Sequence, residues 1–221
     1  MPATLGFDLE INVPEFEYFT LRELRGYVEK IINRNKASLN RDLRTLVYQK
    51  LLKSNFYEQF TKGPMYYEIG NPNAEMDLKG IFRLIADDML IDFPVSVVSN
   101  GQLNLDIIIG ILDSSYYEIL TSPHSSYISM NSEGKRTLIE WIKWLLIGGS
   151  GPLIFNYEYR SDPKFSKWSR TGEAIMIKSR NNWGLRQVWV GKPGDNVLTR
   201  SLEGIELTIT KILDLRIISK L

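Results

Sequence analysis

The sequence predicts an α+β protein: a helical N-terminal part followed by a mixed, mainly antiparallel sheet with flanking helices. Apolar residues recur at helical spacing through residues 21–51, and the turn pair Asn100-Gly101 separates two β-rich runs. Beyond them helices and strands mix without a regular strand–helix–strand alternation. The chain has 221 residues, 43% hydrophobic and 24% charged, enough for a buried core and close to the globular average. Disordered, collagen-like and coiled-coil classes are therefore excluded.

In chain order, Thr20-Leu-Arg-Glu23 is a capping-box pattern, and Leu21, Leu24, Val28, Ile31 and Ile32 follow on one helical face. The polar run Asn33 to Ser38 predicts a break, and Leu39, Leu43, Leu46, Val47 and Leu51 predict a second helix, closed by Gly63-Pro64. Residues 1–62 are thus a helical region and 63–221 an α+β domain, packed as one compact unit because the junction is too short for a linker. Met65 to Ile69 fits a short strand before the turn Gly70-Asn71-Pro72. Leu78 to Leu90 predicts a helix that Pro94 must end. Val95–Val98 and Leu103–Leu112 predict a hairpin, and Ser114–Gly134 an ordered surface loop.

Lys135 to Ile147 predicts a helix that is apolar on several sides and stopped by Gly148-Gly149. Leu153 to Arg160 alternates as a half-buried strand, with Ala174–Ile177 and Gln187–Val190 as its partners. Asp195-Asn196 reads as an N-cap opening a helix at least to Leu202. Ile205 to Leu221 fits either helix or strand, with helix preferred.

Candidate chemistry is sparse. The absence of cysteine excludes disulfides, zinc–thiolate sites and a thiol nucleophile. His124, in Ser122-Pro-His-Ser-Ser126, has no nucleophile elbow near it and reads as a loop residue. Asp87, Asp88 and Asp92 read as a solvated helix edge, with Asp88 and Asp92 one turn apart. Gly148-Gly-Ser-Gly151-Pro152 follows a helix rather than preceding one, unlike a phosphate-binding loop. No catalytic residue, metal site or cofactor is expected. The first twenty residues carry four acids and no base, unlike a secretory or transit leader, and the longest apolar stretch is too short to span a bilayer, so no membrane partner is expected either.

Charge is laid out in blocks. Residues 21–62 hold ten bases against four acids, 63–133 two against ten, and 134–221 fifteen against eight. Such a surface steers and registers charged partners. The most unusual stretch is Ser161–Trp183, where Lys164, Lys167, Arg170, Lys178 and Arg180 interleave with Phe165, Trp168 and Trp183. These residue types suit a protein interface, internal packing, or stacking on nucleic-acid bases.

A longer order of segments then emerges: Leu138-Ile-Glu-Trp-Ile-Lys-Trp-Leu-Leu146, a glycine break, the Ile154–Tyr159 strand, Ser169-Arg-Thr-Gly-Glu-Ala-Ile-Met176, Asn182-Trp183, Trp189-Val190 and Asp195-Asn-Val-Leu-Thr-Arg-Ser-Leu202. This order resembles that in a group of virion structural proteins of tailed bacteriophages. In those, a leucine/tryptophan-rich helix, a strand, S-R-(T/S)-G-x-A-I-M, N-x-W and N-x-(I/L)-T-R-A-L recur towards the C-terminus. The likeness covers residues 138 to 202, and it departs at Val188-Trp-Val-Gly-Lys-Pro193, where those proteins carry W-R-V-P-P.

The resemblance implies a non-enzymatic, multi-copy component of the tail or head–tail neck, made in the host cytoplasm and placed in the virion. Its partners would be copies of itself and other virion proteins of the portal or neck, tail tube or baseplate. It also implies roles: a positive φ at Gly172, a guanidinium fork at Arg170 for a neighbouring carboxylate, and a similar use of Arg200. The acid-rich block from Glu68 to Glu133 is the counterpart across a head-to-tail contact that can close into a ring. The interface candidates are Lys164, Phe165, Lys167, Trp168, Arg170, Arg180, Trp183 and Arg200. The alternative is a nucleic-acid-binding module using the 164–183 loop.

Overall fold

The structure is a computed structural model; it describes residues 9–12, 18–92, 94–98, 102–105, 108–111, 113–130, 134–148, 153–162, 164, 167, 169, 171–172, 174–186, 188–192 and 194–216. Its elements are β1 (Leu9–Asn12), α1 (Tyr18–Leu52), α2 (Asn55–Thr61), α3 (Pro64–Ile69), α4 (Ala74–Asp87), β2 (Met89–Asp92), β3 (Val95–Val98), β4 (Gln102–Leu105) and β5 (Ile108–Ile111). Then come α5 (Asp113–Thr121), a 3₁₀ turn (Pro123–Ser125), β6 (Tyr127–Met130), β7 (Arg136–Ile139), α6 (Trp141–Leu146), β8 (Tyr157–Ser161), β9 (Ala174–Lys178), α7 (Val197–Ser201) and α8 (Glu206–Arg216). The fold is α+β. Among the described residues every strand pairing is antiparallel, and the strands form four small sheets: β1-β4-β3, β2-β5, β6-β7 and β8-β9.

The chain divides into two compact units, and the division does not fall at residue 62. One unit joins Tyr48–Ile85 to Ser114–Glu203; the other joins Pro2–Val47, Ala86–Asp113 and Gly204–Leu221. The second unit holds most of α1, the sheets β1-β4-β3 and β2-β5, and α8. There, Arg216 of α8 pairs with Asp42 of α1 at 2.8 Å, and α8 buries Ile209 and Leu213.

The first unit is organised around large apolar side chains from its helices. Phe60 of α2 stacks on Trp141 of α6 (centroids 6.3 Å apart) and meets Trp189 edge-on at 5.6 Å, while Phe56 touches Phe60 and Phe82. Trp141, Phe60 and Phe82 are almost completely buried. Asn196 locks the C-terminal side of this unit. Its Oδ1 accepts from the Leu198 and Thr199 N–H groups, and Thr199 Oγ1 accepts from the Asn196 N–H, a reciprocal cap at α7. Its Nδ2 donates to Tyr116 Oη at 3.1 Å, tying α7 to α5.

Several expectations are corrected. α1 is one helix of 35 residues, not two. Asn35 Nδ2 donates to the Ile31 carbonyl and Ser38 Oγ to that of Asn35, so the polar run bonds back onto its own helix. Buried Ile32 and Leu39 lie seven residues apart, two helical turns, and the apolar stripe keeps its phase. Met65–Ile69 is helical because Pro64 occupies the first turn, Met65 and Ile69 are buried one turn apart, and Gly70 closes the helix at φ 70°. The helix from Leu78 stops at Asp87, and Met89–Asp92 pairs with β5 instead. Ser114–Gly134 holds α5 and β6 rather than a loop.

Lys135–Ile147 is helical only from Trp141, because Arg136–Ile139 is drawn into pairing with β6. The strand from Leu153 begins only at Tyr157, after Asn156 turns the chain at φ 61°. The segment around Gln187–Val190 does not join it: Val188 and Trp189 lie in a turn, and Gln187 lies outside the described residues. The pairing of β3 with β4, the cap at Asn196 and a helix over 206–216 match expectation, but the strand expected over Leu103–Leu112 pairs with β3 only as far as Leu105, and Ile108–Ile111 pairs with β2 in a second sheet; Asn100-Gly101 lies outside the described residues. Among the described residues no helix is long and apolar enough to cross a membrane.

Asn196→Ala removes the cap and leaves the buried Tyr116 hydroxyl without a partner. It is expected to lower stability by about 2–3 kcal/mol in urea denaturation, with Tyr116→Phe costing less because the cap survives.

Candidate interface surfaces

Several of the residues that carry the 138–202 resemblance hold the chain's own fold. Three backbone N–H groups, those of Thr171, Gly172 and Ala174, converge on Ser169 Oγ at 3.0–3.3 Å. Gly172 has φ 95°, the positive value expected of it, so the tight turn leads directly into β9. Trp183 exchanges backbone hydrogen bonds with Ile154, and its ring meets Trp144 edge-on at 6.0 Å. It is only 7% exposed, so its role is packing, and neither a protein partner nor a base can stack on it.

Arg200 already has a contact within the chain: its Nη2 donates to the Val190 carbonyl at 2.7 Å and its Nε lies 3.7 Å from Asp195, so one arm of the fork fastens the 188–192 turn to α7. Of the other candidates, Lys164 is exposed and pairs with Asp162 at 2.8 Å, and Lys167 and Arg180 are exposed. Phe165, Trp168 and Arg170 lie outside the described residues. In the same region Glu158 gathers Arg160, Asn181 and Ser179, and these hydrogen bonds, Arg160's foremost, hold its carboxyl below the usual range.

Two surfaces that the sequence reading passed over stand out. The first is a cleft of about 560 Å³ with an apolar floor of Phe56, Val188, Trp189 and Val197 and a rim of Lys50, Lys53, Arg200 and Glu203. Lys50 lies in the last turn of α1 and Lys53 directly after it, and that close spacing of two bases was the available signal. The second is the β6–β7 hairpin. Ile128 and Met130 share one face of β6, Leu138 sits directly opposite Ile128, and the three are 64%, 62% and 62% exposed. Lys135 and Arg136 flank them, also exposed. The signal was obscured because Leu138-Ile139 runs on into Trp141-Ile142 and mimics a single apolar helix.

The acid-rich block is partly committed within the chain. Glu68 lies 3.8 Å from Arg186, Glu75 binds Lys79 at 2.6 Å, and Asp77 faces His124 at 3.0 Å. Asp87 ends α4, Asp88 follows it and Asp92 is in β2, so the last two do not share a helix face; among the described residues no group of acids and histidine is arranged to hold a metal ion.

Burial raises the carboxyl of Glu68 above its usual range, with Arg186 opposing more weakly. A carboxyl whose pKa is higher folded than unfolded costs stability once the pH exceeds both values, and the cost disappears below the unfolded value. Glu68→Gln should therefore raise the melting temperature at about pH 7 and have little effect near pH 4; a lower melting temperature at pH 7 would mean that the Arg186 pairing outweighs burial. Comparison of the chain with models of protein families, with curated proteins and with solved structures found no match.

Proposed function

We propose that this protein is a non-enzymatic structural component of a tailed-phage virion, a multi-copy ring or adaptor protein of the tail or head–tail neck. It works by docking on copies of itself and on neighbouring virion proteins. The observation that carries the docking is the β6–β7 strip: three large apolar side chains, each more than 60% exposed, on one face of a two-stranded sheet. An apolar cluster rimmed by charge is what an interface leaves on the free protein. The phage assignment rests on the ordered segments of residues 138–202. The blocks of opposite charge, and the basic cleft at Lys50, Lys53 and Trp189, supply the complementarity that fixes register between copies.

Size-exclusion chromatography with light scattering tests this. The protein should associate in a concentration-dependent way, alone or on mixing with portal, neck or tail proteins. Leu138→Asp should weaken that association about tenfold or more, a change typical of losing a buried apolar anchor. Its thermal melt should be nearly unchanged, because the side chain is exposed. A chain that stays monomeric under all these conditions would overturn the proposal.

A further inference from the structure

The chain's single histidine occupies a built site that the assembly reading does not use. Asp77 in α4 is buried, and both its oxygens are held. Oδ2 accepts from Asn71 Nδ2 at 2.8 Å, and Oδ1 lies 3.0 Å from His124 Nδ1. Asn71 is itself fully buried and pinned by the Asn73 N–H on its Oδ1 at 2.9 Å. A carboxylate facing Nδ1 places a proton there, so the outward nitrogen, Nε2, becomes a donor only when the ring is protonated.

Gly80 explains how the ring is seated. A methyl group in place of its hydrogen would lie 2.3 Å from His124 Cδ2, 2.4 Å from Nε2 and 2.7 Å from Cγ. Three such similar distances put Gly80 over the ring face, not off its edge, so the imidazole lies flat on α4. Nε2 has no hydrogen-bond partner among the described residues. The ring lines a cleft of about 490 Å³ together with Glu75, Lys79 and Arg83. Lys79 binds Glu75, whereas Arg83, one turn further along α4 and exposed, has no ion pair among the described residues.

We propose that this cleft binds a phosphate group, with protonated His124 Nε2 and the Arg83 guanidinium donating to its oxygens and Lys79 adding charge at the rim. The buried Asp77 orients the imidazole through its Nδ1, as a carboxylate does for a working histidine. Arginine supplies the planar fork suited to phosphate oxygens. The charged groups facing the ring are Asp77, Glu75, Lys79 and Arg83, all on α4. The hydrogen bond from Lys79 holds Glu75 below the usual carboxylate range and raises Lys79, so neither titrates between about pH 5 and 8. Imidazole is the side chain whose charge changes there, and binding strengthens as the pH falls.

The lone histidine makes the test direct, since its ring gives one unambiguous NMR signal. Inorganic phosphate, sulfate (whose charge is constant in this range) and a short oligothymidylate are titrated at fixed ionic strength at about pH 6 and 8. The expected result is a saturable shift of the His124 resonance at the lower pH, weakened about tenfold in Arg83→Gln, the loss expected for one charged hydrogen bond. A response to phosphate and sulfate identifies a free anion, and a response to the oligonucleotide alone identifies a phosphodiester backbone; each supports the site. Asp77→Asn should also weaken binding, and because that residue is buried the exposed Arg83 variant carries the decision. No shift beyond that of sodium chloride, or equal binding by Arg83→Gln, overturns the proposal.

Discussion

The unit that joins Tyr48–Ile85 to Ser114–Glu203 depends on burying Phe60, Phe82 and Trp141 among its helices. Its two sheets, β6-β7 and β8-β9, have two strands each, and a lone two-stranded hairpin is marginal in water. They persist by anchoring to the helical core. Tyr127 at the start of β6 donates its hydroxyl to the Ile69 carbonyl at the end of α3, and Ala174 at the start of β9 is buried. Beyond Tyr127, alternate residues of β6 and most of β7 face outward. Ile128, Met130 and Leu138 are exposed for that reason.

The signature over residues 138–202 takes on a different meaning. Ser169 organises a turn, Gly172 supplies its positive φ, Trp183 packs on Trp144, Asn196 and Thr199 cap α7, and Arg200 fastens the turn before it. These are tasks of local architecture. Residues that dock on a neighbour need only be apolar or charged on the right face, so they leave little trace in a motif. Leu138 is the exception: it opens the recognisable order of segments and yet lies exposed on β7.

Much of the fold was legible where the signal was local. The Asn196 cap, the β3–β4 pairing and the positive φ at Gly172 all follow from short-range chemistry, whereas the 205–221 pattern fitted helix and strand alike. What escaped was set by distant partners or by phase. Arg136–Ile139 reads as helix until β6 is there to pair with it, and Met89–Asp92 reads as helix until β5 does the same. The polar run in α1 looked like a break, although the seven-residue step from Ile32 to Leu39 already kept the buried face in line. Asn71, Asp77, Gly80 and His124 meet across 47 residues of sequence between Asp77 and His124, and no spacing rule announces such a cluster.

The central claim is that the outward face of β6–β7 is covered by protein when the molecule does its work. Met130 offers a chemical reporter, because its thioether oxidises readily when exposed and slowly when enclosed. Peptide mass spectrometry after a brief peroxide pulse, on the free chain and on the assembled particle or oligomer, measures this. The account predicts fast oxidation of Met130 in the free protein and strong protection after assembly, with exposed Met76 as the internal comparison. Equal oxidation of Met130 in both states would contradict it.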